Sequence, residues 1–195
     1  VVGAGFSACE FAGILSGLGV EVTQLVRREH LLRGFDAELA AVVQEGMVEK
    51  GVNVQFSTGP EAIEGKPGDL VVRTNRGDRI ACGGVLLATG RRPFLQGLNL
   101  DAAGVTTQGN RIPVDADQRT NVPHVFAVGD VTDRICLTPV AIDEGRAFAD
   151  SVYGDRPRQV NHALVASAVF SQPELATGGL SEEDAIAQYG ADGVV

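Results

Sequence analysis

Apolar residues recur at helical spacing between residues 7 and 18 (Phe11, Ile14, Leu15, Leu18), directly after Val1-Val2 runs into Gly3. Gly19 then marks a stop, and residues 20–26 alternate toward a strand. That order predicts a β-α-β unit, and with it a parallel sheet. A second helix is expected from about residue 37 to 50, with Leu39, Val42, Val43, Met47 and Val48 along one side and Gly51 ending it. Residues 70–74 and 79–82 flank Asn75-Arg76-Gly77-Asp78, a hairpin signal. Residues 85–87 read as a buried strand leading into Ala88-Thr89-Gly90. Residues 98–121 are polar and rich in turns, and residues 124–128 read as a second buried strand that ends in Gly129-Asp130. Thr138-Pro139 predicts a helix with Thr as N-cap and Pro in the first position, reaching about residue 152. Residues 157–161 form a linker; residues 164–170 and 174–177 resemble antiparallel strands. Ser181 caps a final helix to about residue 188.

Both ends read as internal to a longer chain. Val1-Val2 looks like the close of a strand, and Val194-Val195, after the turn at Gly190-Ala191-Asp192-Gly193, like the start of another.

Composition narrows the class. The chain has 195 residues and 25 glycines without a G-X-Y period, which points to turns and close backbone contacts rather than to collagen or disorder. Sixteen Lys and Arg against 25 Asp and Glu give a net charge of −9, which argues against nucleic acid as a partner, so any anion site must be local. No apolar run is long enough to span a membrane. Cys9, Cys82 and Cys136 form no CxxC or CxxxxC pair and no metal-ligand cluster with His30, His124 or His162. So sparse a set fits a reducing compartment, the cytoplasm, with each Cys a small core residue.

The chemistry starts at Gly3-Ala4-Gly5-Phe6-Ser7-Ala8, a G-x-G-x-x-A run between a strand and a helix. Gly3 allows the sharp turn, Gly5 lets the main chain approach a pyrophosphate, and Ala8 permits close helix packing. The helix start supplies free N–H groups and a positive dipole. About twenty residues on, where an NAD site would present an acid to the ribose 2′-hydroxyl, the chain has Val26 followed by Arg27-Arg28, with Arg33 nearby. Guanidinium groups bind phosphate through paired charge-assisted bonds, so the site favours NADPH.

The run from Thr120 to Asp130, ending Ala127-Val128-Gly129-Asp130, resembles the second FAD motif of the two-dinucleotide-binding disulfide reductases, the pyridine nucleotide-disulfide oxidoreductases. Within them the chain is most similar to the glutathione reductases of cyanobacterial and plant type. That similarity runs through residues 3–13, Leu32-Arg33-Gly34-Phe35-Asp36, Ala88-Thr89-Gly90-Arg91, and Ala168-Val169-Phe170. The resemblance implies that Asp130, after Gly129, holds the ribityl chain of FAD. It also implies that Leu137-Thr138 opens a helix aimed at the flavin pyrimidine, and that Gly90 belongs to a cofactor-facing turn. Phe6 stands where the family's nicotinamide gate is usually Tyr, and Glu10 matches a Glu that pairs with a Lys ahead of residue 1.

The implied fold is α/β: a Rossmann-like NADPH-binding domain (1–93), part of an FAD-binding domain of the same type (94–157), and the start of an α+β interface domain (158–195). The implied activity is reduction of oxidised glutathione, in a full-length homodimer. The redox cysteine pair and the catalytic His of the family match no residue here, so no catalytic or metal-binding residue is assigned. High-molecular-weight thioredoxin reductase, or another disulfide reductase, shares much of this pattern. A nucleotide-binding module without disulfide exchange would also keep both cofactor motifs.

Overall fold

The computed structural model describes residues 1–194, which form two compact units: residues 1–90 together with the chain from Ala166 onward, and Arg91–Val165. In the first, helix α1 (Phe6–Gly17) leads to strand β1 (Thr23–Leu25), helix α2 (Ala37–Glu49) and strand β2 (Asn53–Gln55). β1 and β2 are parallel, and Val2 bridges both Leu25 and Leu87 in parallel sense. Val2 is therefore central, and the parallel sheet expected from the β-α-β order is present. β2 was not foreseen. Three antiparallel strands follow: β3 (Pro60–Lys66), β4 (Asp69–Thr74) and β5 (Arg79–Cys82), in that order across the sheet. The expected hairpin is β4–β5. β3 is the addition, and the Pro67-Gly68 turn that joins it to β4 was its sequence signal.

The helix faces differ from the expected apolar stripes. In α1 the buried residues are Ala8, Cys9 and Ala12, while Phe11, Ile14 and the C-cap Leu18 are largely exposed. In α2, Ala40, Val43 and Met47 are buried and Leu39, Val42 and Val48 are exposed. Small side chains let α1 pack close to the chain at its own N-terminus, and that approach, rather than side-chain size, selects the inward face.

Residues 85–87 do not form the buried strand expected. Among the described residues Val2 alone pairs with them, donating to the Leu86 carbonyl and accepting from Ala88 N–H, and Leu87 stays 60% exposed.

In the second unit, residues 124–128 likewise lack a full ladder. Among the described residues their ladder partners are only residues 118–120, through Ala127 N–H to the Gln118 carbonyl and Thr120 N–H to the Val125 carbonyl. Val105, Ile112 and Ala127 form this unit's core. Gly129–Thr132 makes a 3-10 turn, and helix α3 (Thr138–Tyr153) follows. Its N-cap is Leu137 rather than Thr138, one residue earlier than expected, because Leu137 is the last extended residue and its carbonyl already accepts Ala141 N–H.

The chain then returns to the first unit as strands β6 (Ser167–Val169) and β7 (Leu175–Thr177), antiparallel as expected, though the first is shorter than the expected 164–170 because residues 162–164 form a 3-10 turn. Helix α4 (Glu182–Tyr189) follows, with Ser181 capping it by accepting Asp184 N–H. Val169 and Leu175 join a buried cluster with Cys9, Ala12, Leu31, Val43 and Met47. The N-termini of α2 and α4 exchange caps: Asp36 accepts Glu182 N–H at 2.5 Å, and Glu183 accepts Ala37 N–H at 3.2 Å. The strand start expected at Val194-Val195 falls partly outside the described residues.

Candidate functional site

The glycine turn is built by close contact. Gly3 lies at φ +148°, and a Cβ added there would sit 2.3 Å from the Ala88 carbonyl oxygen and 3.1 Å from the Cβ of Ala8. No larger residue fits at Gly3 without moving the main chain. Gly5 is the opposite case: it is the N-cap of α1, and a Cβ there would meet nothing within 4 Å. Ala8 and Cys9 N–H both donate to the Gly5 carbonyl, whereas those of Phe6 and Ser7 are not taken by the described residues. With no side-chain cap and no acid in its first turn, α1 presents an open, positively polarised start. Phe6 is 42% exposed at that start.

Two supports escaped the sequence reading. Gln24 is fully buried on β1 and donates from Nε2 to the Gly3 carbonyl at 3.0 Å, with Cys9 Sγ also within reach at 3.9 Å. Leu32, buried and at φ +53°, donates its N–H to the Ala4 carbonyl at 2.8 Å. That bond ties the glycine turn to the loop carrying Arg33. Arg27, Arg28 and Arg33 are all exposed, and among the described residues none forms an ion pair. The stem of Arg27 covers Gly59, where an added Cβ would meet its Cγ at 3.0 Å. Glu10 accepts Phe170 N–H at 2.9 Å, which connects α1 to the segment after β6. Gly90 has open space where a side chain would stand.

The second unit holds the other predicted residues. Gly129 lies at φ +74°, and an added Cβ would sit 3.1 Å from the Cβ of Ala141 on α3. Its N–H donates to Glu144 Oε2 at 2.6 Å, and its carbonyl accepts the Thr132 hydroxyl at 2.8 Å. Asp130 is half-exposed and pairs with Arg91 at 3.0 Å. α3 begins at Thr138, next to Leu137, without a side-chain cap or an acid in its first turn, so it too offers a bare positive end.

Glu144 was also missed. It is 1% exposed and shares the inward face of α3 with Val140 and Ala147, so an acid at that spacing within an apolar face was the available signal. It accepts from Arg134 Nη2 at 2.7 Å and lies 2.7 Å from His162 Nε2. Arg134 also donates to the buried Gln118. His162, just past the expected linker and assigned no role from the sequence, thus has a structural partner.

The cysteines part company. Cys9 is buried, and burial pushes its thiol up to about 11. Cys82 is half-buried, and Cys136 is exposed rather than in the core, because it sits in the open stretch just ahead of α3. Partial desolvation, then the nearby carboxylates of Asp130 and Asp133, raise its pKa.

Residues 1–145 match the family described as pyridine nucleotide-disulphide oxidoreductase. The chain is 42% identical to a glutathione reductase of Nostoc sp. and 44% identical to one of Burkholderia cepacia, over 100% and 97% of its length. It is 42% identical, over its whole length, to the mitochondrial thioredoxin reductase 2 of Drosophila melanogaster. It spans 45%, 42% and 39% of those relatives, respectively. The crystal structure of LpdA from Mycobacterium tuberculosis superposes with a TM-score of 0.88 at 29% identity, covering 96% of this chain and 41% of that one.

Proposed function

Since the chain belongs to the pyridine nucleotide-disulphide oxidoreductase family, we propose that it supplies cofactor-holding parts of an NADPH- and FAD-dependent reductase of oxidised glutathione. One observation carries the coenzyme choice: an open helix start behind Gly3 and Gly5 stands beside a loop with three arginines that have no acidic partner among the described residues. Gly3, Gly5 and Ala8 seat a pyrophosphate on the N–H groups of Phe6 and Ser7. Arg27, Arg28 and Arg33 bind the 2′-phosphate that distinguishes NADPH from NADH. Phe6 covers the nicotinamide, Glu10 holds the nearby segment at Phe170, and Gly90 leaves room at the turn.

In the second unit, Asp130 accepts hydroxyl hydrogen bonds from a ribityl chain. The α3 start at Leu137-Thr138 places N–H groups and a positive dipole where negative charge gathers on a reduced pyrimidine ring. When bound, the two cofactors supply hydride transfer and its relay to a disulfide. This chain's residues bind and orient them. In the same reading, residues 1–93 form the NADPH-binding domain, 94–157 part of the FAD-binding domain and 158–195 the start of the interface domain of a cytoplasmic homodimer.

Thioredoxin reductase is the competing reading, favoured by the 42% identity to the fly protein. The test is the naturally encoded protein assayed for NADPH and NADH oxidation with glutathione disulfide or oxidised thioredoxin. Turnover with NADPH and glutathione disulfide is expected. Preference for thioredoxin assigns the rival, and protein that neither carries nor takes up flavin refutes both.

A further inference from the structure

Glu144 is a buried carboxylate for which the functional reading above has no use. Its first partner is Gly129 N–H at 2.6 Å, one residue ahead of Asp130. The carbonyl of the same glycine is fixed by the Thr132 hydroxyl at 2.8 Å, so the main chain entering Asp130 is held on both sides. Glu144 also sits on α3, roughly two turns from the helix start at Thr138. The helix lies close against the turn, so that a Cβ added at Gly129 would stand only 3.1 Å from that of Ala141. One carboxylate thus ties together the two features assigned to FAD, the Asp130 turn and the α3 N-terminus.

The carboxylate is itself held. Arg134, 24% exposed, donates to Oε1 at 2.7 Å and is shared with buried Gln118; His162 Nε2 lies 2.7 Å from the same oxygen. A charged acceptor at 1% exposure, satisfied by a backbone N–H and two side chains from separate parts of the sequence, has little freedom to turn.

We propose that Glu144 is a positioning residue for flavin binding, acting through Gly129 to aim Asp130 and to register α3 against it. This rests on the reading of Asp130 as an FAD ligand. It does not require Glu144 to touch the cofactor.

The test uses the naturally encoded protein, stripped of flavin and titrated with FAD, with the melting temperature of each apoprotein measured alongside. Glu144→Ala removes a charge-assisted bond and is expected to weaken FAD by about tenfold or more. Glu144→Gln keeps an oxygen for Gly129 N–H and should fall between it and the wild type. In an Asp130→Ala background neither change should weaken FAD further, since a residue that works through Asp130 has nothing left to aim. A general loss of stability would instead multiply with the Asp130 effect. If Glu144→Ala fails to fold, Glu144→Gln with and without Asp130→Ala carries the same comparison. FAD bound as tightly in both Glu144 variants as in the wild type, or independent effects in the double variant, overturns the proposal. Asp130→Ala that keeps its full FAD affinity overturns the reading beneath it, and the proposal with it.

Discussion

Leu32 donates its main-chain N–H to the carbonyl of Ala4 at 2.8 Å, joining the glycine turn to the arginine loop by a single bond. Leu32 holds φ +53° while buried to 1% exposure, so an apolar side chain is kept in a left-handed conformation that normally favours glycine. The loop bearing Arg33 is therefore placed relative to the helix start by the fold itself, before any ligand arrives.

The proposed coenzyme choice rests on that placement. In the intact protein, Arg27→Ala with Arg33→Ala should weaken NADPH at least about tenfold while leaving NADH nearly unchanged, because two charge-assisted contacts to phosphate are lost. Steady-state KM for each coenzyme measures it. Equal losses with both would remove the 2′-phosphate assignment.

The two glycines of the turn should respond differently. Gly3→Ala drives a Cβ to 2.3 Å from the Ala88 oxygen at φ +148°, so a loss of a few kcal/mol of stability, on the order of 1–3, is expected in thermal or urea unfolding. Gly5→Ala meets no atom within 4 Å and should cost only about 1 kcal/mol as a weaker cap. It should nonetheless depress NADPH affinity, since the new methyl stands where the pyrophosphate is expected. Gly5→Ala binding NADPH normally would place the phosphates elsewhere.

Thiol labelling should separate the cysteines. Exposed Cys136 should react in the native protein, and faster as the pH rises from about 7 to about 9, because its pKa is raised and thiolate is the reacting form. Buried Cys9 should stay unlabelled until the protein unfolds. The Cys9 thiol keeps its proton up to about 11 when folded and gives it up near 9 when unfolded, so its contribution to stability is complete below the lower value and falls away between the two. Mass spectrometry of labelled peptides reads both effects. Early labelling of Cys9 would show that the cluster around it opens readily.

The 195 residues by themselves should not turn over glutathione disulfide. Cys9, Cys82 and Cys136 are all unpaired, and turnover needs two thiols set beside the flavin. NADPH oxidation with glutathione disulfide and added FAD should match the blank without protein. Steady turnover above that blank would make one of the three cysteines a redox centre.

The turn motifs were legible because they depend on which residue types can occupy them. Gly3, Gly129 and the Ser181 cap each sit where the letters placed them. The inward faces of α1 and α2 were not, because apolar spacing identifies an apolar side without saying whether the sheet lies against it or against the small residues beside it. Residues 85–87 and 124–128 were read as full strands from composition alone, yet a strand is defined by its neighbours, and each finds only a partial one. Gln24 and Glu144 were missed for a related reason. Their importance comes from partners at Gly3 and Gly129, and no local pattern announces such a meeting.

The exchange of caps between Asp36 and Glu183 has a consequence for the order in which the molecule can be completed. A ribosome delivers Ala37 well over a hundred residues before Glu183, so α2 emerges with its first N–H lacking its eventual carboxylate partner, and the whole second unit is made in the interval. Asp36 waits equally long for Glu182. The start of α2 is thus finished by a segment made much later, and a chain released before residue 182 would leave both helix-end bonds unmade.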